Sequence, residues 1–447
     1  MSYLDILLIC EFVIFVAVII ITNIDIVSPG VCAIIFFFIA TLLLKFVEDS
    51  WKVQLSGESV FAVVIGLCMM FLAEALTIKR FTNNTNKKVI EAYEFKISVN
   101  RIFSYLFIVC SVICLVLYWI EIWRKGRSLG AYGFFAIGAV ADSVNNGTLR
   151  ISIVGKMAYQ FVFLLAYPFG WIFASQLFDK NRRKRNWINL IPVLAAIVIN
   201  FLAANRHNIL RLILAIMFCC YTVARQNNRL KRKDKKKIIN YSVALFSAFL
   251  LLFYIVKDIV KVSLHHISFF EYIVYYISSP IVLFSSYLEN PFFVRMPSRL
   301  FGETCFTGFY TTLARWGFVR EVVTETNHTV IGGVSGIRTG NTYTFFMRPY
   351  HDFGMAGIVV LTLLVFLVVC QIYHKMVYKK CRTVKAFRRK MVATIFLSYF
   401  YYMFPLAVSD FYVTIESKIM NIVYLLVMVC VCKIMFRISN VVKFQED

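Results

Sequence analysis

Two short stretches of this 447-residue chain bring charged and hydrogen-bonding side chains up against long apolar runs. In residues 201–215, FLAANRHNILRLILA, the residues Asn205, Arg206, His207 and Asn208 make a tight polar turn, and Arg211 follows further into an apolar segment. An arginine at membrane depth is costly, so it usually faces a protein interior or a water-filled cavity and meets an anion. His207 and Arg211 stand four residues apart and share a helix face, whereas Arg206 points elsewhere. The structural alternative is a pair of long side chains that reach back to the interface and anchor the helix. In residues 340–357, GNTYTFFMRPYHDFGMAG, a polar and aromatic approach leads through Pro349 into another apolar segment. Proline suits the first turn of a helix, and Arg348 and Asp352 are one turn apart, close enough to interact. Arg348 is a candidate anion clamp, and His351 and Asp352 are candidate general bases. The helix macrodipole also favours a carboxylate at a helix start, which gives Asp352 a structural explanation. Gly354 and Gly357 read as residues that permit close helix approach.

The elements that must position these residues are membrane spans. With 60% hydrophobic residues and a mean hydropathy of +0.73, the chain lies outside the usual soluble range. Apolar windows of about 16–21 residues recur, each long enough to cross most or all of a ~30 Å hydrocarbon core. They predict spans near residues 4–21, 28–44, 59–76, 102–122, 157–177, 187–203, 209–224, 238–256, 355–373, 391–408 and 419–436. The expected fold is therefore an all-α, polytopic transmembrane bundle of about eleven helices, a single integral membrane domain over residues 1–447. The first window lacks a basic n-region and a small-residue cleavage site, so it reads as a retained span.

The net charge of +24 sits in bursts between the windows, at Lys79–Arg101, Lys180–Arg185, Arg225–Lys237 and Lys375–Lys390. If the spans alternate, all four fall on one side. The positive-inside rule makes that side cytoplasmic, with the N-terminus outside and the C-terminus inside. Topology thus accounts for the charge, and no nucleic-acid partner is needed. Ile267–Tyr287 is long enough to cross, but crossing would move Lys375–Lys390 outside. With Glu271 and Pro280 it reads instead as an interfacial or re-entrant element. It lies in a large external loop, residues 257–351, between the eighth and ninth spans; a second external loop covers 124–156. Loops of this length in a compact protein are usually functional. The larger one carries Arg295, Arg299, Arg315, Arg320, Arg338 and Arg348, against the rule that keeps arginine inside. Of the twelve cysteines, Cys305 is the clear external one, so no internal disulfide framework is available there.

The run Asn341, Thr342, Tyr343, Thr344, followed by Arg348, Pro349, Tyr350, Asp352, Phe353 and Gly354, resembles the segment before a late span in bacterial Wzy-type oligosaccharide repeat-unit polymerases. The turn bearing Arg206 resembles the arginine that opens a central span in those proteins, and the span count and late external loop are similar too. Family members often carry a Gly- or Ser-rich stretch before that arginine, where this chain has Ala203, Ala204 and Asn205. The resemblance implies a GT-C-like membrane fold in the bacterial plasma membrane. It also implies a metal-independent glycosyltransferase with no cofactor. Such an enzyme moves a growing O-antigen or capsular glycan from undecaprenyl pyrophosphate onto a fresh lipid-linked repeat unit at the outer face.

The implied partners are that lipid-linked oligosaccharide, membrane lipid, a chain-length regulator and a flippase. The pyrophosphate leaving group is multiply negative and calls for arginines, for which Arg206, Arg211, Arg338 and Arg348 are the candidates. The acceptor hydroxyl must lose a proton, to Asp352 or His351, with Glu303 and the pair Glu48 and Asp49 as outsiders. Tyr343 and Asn341 complete the expected substrate contacts, with Tyr310 and Trp316 as further stacking candidates. An O-antigen ligase or a lipid-linked glycan flippase would share much of this plan.

Overall fold

A computed structural model describes residues 1–85, 95–177, 187–226, 240, 247, 251, 254, 268–291, 298–320, 322, 329–330, 339–340, 342–378, 381 and 383–440. Its helices are α1 (Tyr3–Ile21), α2 (Pro29–Lys45), α3 (Glu48–Trp51), α4 (Gly57–Thr85), α5 (Arg101–Ser128), α6 (Phe135–Asn145), α7 (Ile153–Leu177), α8 (Ile191–Leu202) and α9 (Arg206–Gln226). They continue with α10 (Phe269–Glu289), α11 (Thr307–Arg315), α12 (Met347–Tyr378), α13 (Val384–Phe400), α14 (Val413–Glu416) and α15 (Ile419–Met435). The strands β1 (Phe95–Val99) and β4 (Phe436–Asn440) pair antiparallel, as do β2 (Thr329–Val330) and β3 (Thr339–Gly340). The chain is an all-α, multi-pass membrane protein: among the described residues, eight helices are long and apolar enough to cross a membrane.

Seven of those eight coincide with predicted windows, while 28–44, 187–203 and 419–436 fall on shorter apolar helices. The window 238–256 lies outside the described residues except for Asn240, Ser247, Leu251 and Tyr254, which are helical. The eighth candidate is α10, on the segment read as interfacial or re-entrant. It is one 21-residue helix, apolar enough to cross by length and composition. Glu271 does not interrupt it, because it closes a capping box with Ser268: the Glu271 amide donates to the Ser268 hydroxyl at 3.3 Å. An identical device with Ser2 and Asp5 starts α1.

The chain divides into two compact units. Unit 1 comprises Met1–Val89, Ser268–Lys379 and Met403–Val423. Its interior holds a chain of phenylalanines: Phe37 stacks on Phe346 at 5.3 Å between centroids, and Phe345 meets Phe411 at 4.6 Å and Phe366 at 5.8 Å. Phe346 fits only because residue 66 is glycine, where a Cβ would lie 2.2 Å from the Phe346 ring. Unit 2 comprises Ile90–Ile267, Lys380–Tyr402 and Tyr424–Asp447. Its core joins α5, α7, α8, α9, α13 and the end of α15 around Phe169, Ala196, Ile199, Leu212 and Ile395, all fully buried. Large apolar side chains face outward from both units, Ile20 and Ile102 among them, as lipid-facing helices require.

Candidate functional site

The turn Met347–Phe353 opens α12 but is set off from the rest of it. Gly354 has φ 62° and ψ −153°, a conformation essentially reserved for glycine, and the helix breaks there. A Cβ at Gly357 would come within 2.1 Å of the Pro349 carbonyl oxygen, so the turn lies tight over the start of the longer segment. Both glycines therefore shape this chain's own turn, which replaces the expectation that they serve contact between two helices. The preceding Phe345 and Phe346 pin the turn to the unit 1 core, and the Phe345 amide donates to the Ala407 carbonyl at 2.8 Å.

Arg348 is held by a carboxylate that sequence reasoning missed. Its Nε and Nη2 donate to the two oxygens of Asp410 at 2.8 and 3.1 Å, a bidentate pair with both side chains less than a fifth exposed. Nη1 donates to the Thr304 carbonyl at 3.4 Å, and the Thr304 hydroxyl donates back to the Arg348 carbonyl at 3.2 Å. Asp352 is committed as well: it accepts from the Ser298 hydroxyl at 2.6 Å, the Thr304 amide at 3.3 Å and the Cys305 amide at 2.8 Å. These bonds fasten segment 298–305 onto the turn, and Glu303 tightens the same segment by accepting from the Arg299 and Leu300 amides at 2.6 and 3.1 Å. Cys305 is buried there; burial first, then the Asp352 carboxylate, push its thiol well above the usual range.

His351 Nδ1 lies 2.8 Å from the Tyr287 hydroxyl on α10. Tyr343 is fully buried with its ring 6.1 Å from that of Tyr287, so it packs the turn from within. Trp316 is exposed, and the Tyr310 hydroxyl donates to the Phe301 carbonyl at 2.8 Å. Glu48 pairs with Lys45 at the start of α3. Arg338, Asn341 and Arg295 lie outside the described residues.

In unit 2, Asn205 caps α9: its side-chain oxygen accepts from the Asn208 amide at 3.2 Å, which places Arg206 in the first turn. Ala204 just before it has φ 51°, a left-handed conformation that a glycine would adopt without strain. The Tyr159 hydroxyl gathers the asparagines, donating to the Asn200 side chain and accepting from Asn208 Nδ2 at 2.7 Å. Arg211 is buried in an aromatic box, with its guanidinium carbon 4.0 Å from the centre of the Tyr399 ring, 4.2 Å from that of Tyr402 and 5.6 Å from that of Phe163. Its Nε donates to the Tyr399 carbonyl at 3.3 Å. Aromatic faces and a carbonyl thus supply negative potential around the guanidinium. His207 packs edge-on against Tyr402 at 5.3 Å.

Among the described residues, no three His, Cys, Asp or Glu side chains are grouped to hold a metal ion. Compared with known proteins, the chain matches no family model, no curated protein and no solved structure.

Proposed function

We propose that the chain polymerises undecaprenyl-pyrophosphate-linked oligosaccharide repeat units into O-antigen or capsular polysaccharide at the outer face of a bacterial plasma membrane. The observation that carries this reading is the segment Tyr343–Gly354, a sequence like that of the repeat-unit polymerases. In this multi-pass chain it forms a fixed polar turn bearing Arg348, His351 and Asp352. Its geometry distributes the roles. Asp352 spends its oxygens on the 298–305 segment and acts as a positioning residue, which leaves His351 as the general base toward the acceptor hydroxyl. Arg348, engaged by Asp410 and Thr304, fixes the turn. Arg206, in the first turn of α9, is the candidate for direct contact with a pyrophosphate oxygen, and Arg211 braces that helix from its aromatic box.

In cells that depend on this chain for polymer, Arg206→Ala and His351→Ala should each abolish product while the protein remains inserted at normal abundance. Normal polymer from both variants would contradict the assignment. A lipid-linked glycan flippase is the second reading. It is favoured by Glu11, Glu74 and His374, ionisable groups fully buried in apolar helices, as transport proteins often have them.

A further inference from the structure

Away from the Arg348 turn, unit 1 buries a second polar cluster that the glycan chemistry does not use. Glu74 on α4 and His374 on α12 are both fully buried, with Oε1 and Nε2 2.5 Å apart. Three more donors converge on the same carboxylate: the Ser28 hydroxyl at 2.5 Å, the Gly30 amide at 3.1 Å and the Cys370 thiol at 3.1 Å. Beside it, the Tyr373 hydroxyl donates to both oxygens of the buried Asp25, at 3.0 and 3.1 Å. The other ring nitrogen of His374, Nδ1, is buried without a hydrogen-bond partner.

These partners restrict the protonation states. If His374 is neutral with its proton on Nε2, that proton is donated to an ionised Glu74, Nδ1 carries a bare lone pair, and the pair holds a net negative charge in an apolar interior. Among the described residues no lysine or arginine answers that charge; Glu74 is met only by neutral donors and the imidazole. If one more proton is taken up, the pair becomes neutral overall, either as imidazolium with carboxylate or as imidazole with carboxylic acid. In both forms the added proton leaves Nδ1–H as a donor. The first state is penalised by a buried net charge, the second by an unmade hydrogen bond. Two opposed penalties on one proton make the site poised to exchange it.

We propose that Glu74 and His374 form a buried proton-binding site in unit 1 that takes up and releases one proton as pH changes. The titratable groups that face it are Cys370, Tyr373 with Asp25 behind it, and Tyr378, whose ring stacks on His374 at 5.6 Å. The site lies at the ends of α4 and α12 that lead into the basic segments beginning at Lys79 and Lys375, so the side that exchanges the proton is the one bearing those charges. The alternative role is a static cap, in which Glu74 merely holds Ser28 and Gly30 at the start of α2.

Infrared difference spectra of the full-length protein in detergent, recorded against pH without any glycan, separate the two. A proton-binding site predicts a carboxyl or imidazole band that changes with the gain of one proton as the pH is stepped across the range in which the protein stays folded. That band should be absent from Glu74→Gln, which keeps one of the two acceptor oxygens used by Ser28 and Gly30 but cannot titrate, and equally from His374→Gln. Should either variant fail to fold, the other gives the same readout. A wild-type titration that superimposes on that of folded Glu74→Gln overturns the proposal, because the other five histidines and the remaining carboxyls contribute to both. Neither result bears on the glycan chemistry, which the spectra do not involve.

Discussion

The guanidinium of Arg348 lies bidentate on the carboxylate of Asp410, 62 residues further along the chain and part of the same compact unit. Both groups are largely withdrawn from solvent, so each depends on the other for its charge to be tolerated.

A double-mutant cycle between Arg348→Ala and Asp410→Asn, read by thermal unfolding in detergent, should therefore show coupling of roughly 1.5–3 kcal/mol, the range for hydrogen bonds to charged groups. Arg348→Lys should recover little of it, because an ammonium cannot reproduce the fork. Additive single effects would show that the pair contributes no net coupling.

Asp352 and His351 are adjacent and should fail in different ways. Asp352→Asn can turn an amide N–H toward the Cys305 and Thr304 amides, or leave one of its partners unmade, and should cost about 1–3 kcal/mol of stability. His351→Ala gives up the bond to the Tyr287 hydroxyl and should cost about 1 kcal/mol, yet remove product altogether from protein that remains folded. Loss of product from Asp352→Asn at full stability would return the base role to the carboxylate.

The Gly354 break predicts a purely conformational defect. Nothing lies within 4 Å of a Cβ built there, yet an L-residue at φ 62°, ψ −153° is strained by ~1–3 kcal/mol. Gly354→Ala should lower the unfolding temperature accordingly. A neutral outcome would mean that the helix runs through this position without a break.

Ala204 offers the opposite sign. Its left-handed φ of 51° should make Ala204→Gly more stable by ~0.5–1 kcal/mol and Ala204→Val less stable, by thermal unfolding. A destabilised glycine variant would argue that the turn before Arg206 is not left-handed.

The spans were legible because lipid imposes long apolar windows, and the polar exceptions Arg211, Arg348 and Asp352 stood out against them. Their partners were not legible. Asp410, Ser298 and Tyr399 meet them from far along the chain, and a single sequence carries no signal for such pairings. Parity of charge argued that 267–287 does not cross, while the Ser268 and Glu271 box makes it a continuous helix. A carboxylate that interrupts an apolar run and one that caps its first turn look alike until the helix start is known. Glu74 passed unnoticed as one polar residue inside the 59–76 window, and His374 because it follows the end of the 355–373 window beside the basic run from Lys375, 300 positions away.

The most direct test of the polymerase reading is to incubate the purified protein in detergent with its lipid-linked repeat unit, without metal or nucleotide sugar, and separate the products by size. The account predicts a ladder spaced by one repeat, lost in His351→Ala and Arg206→Ala. Authentic substrate left unextended by folded wild-type protein would contradict it.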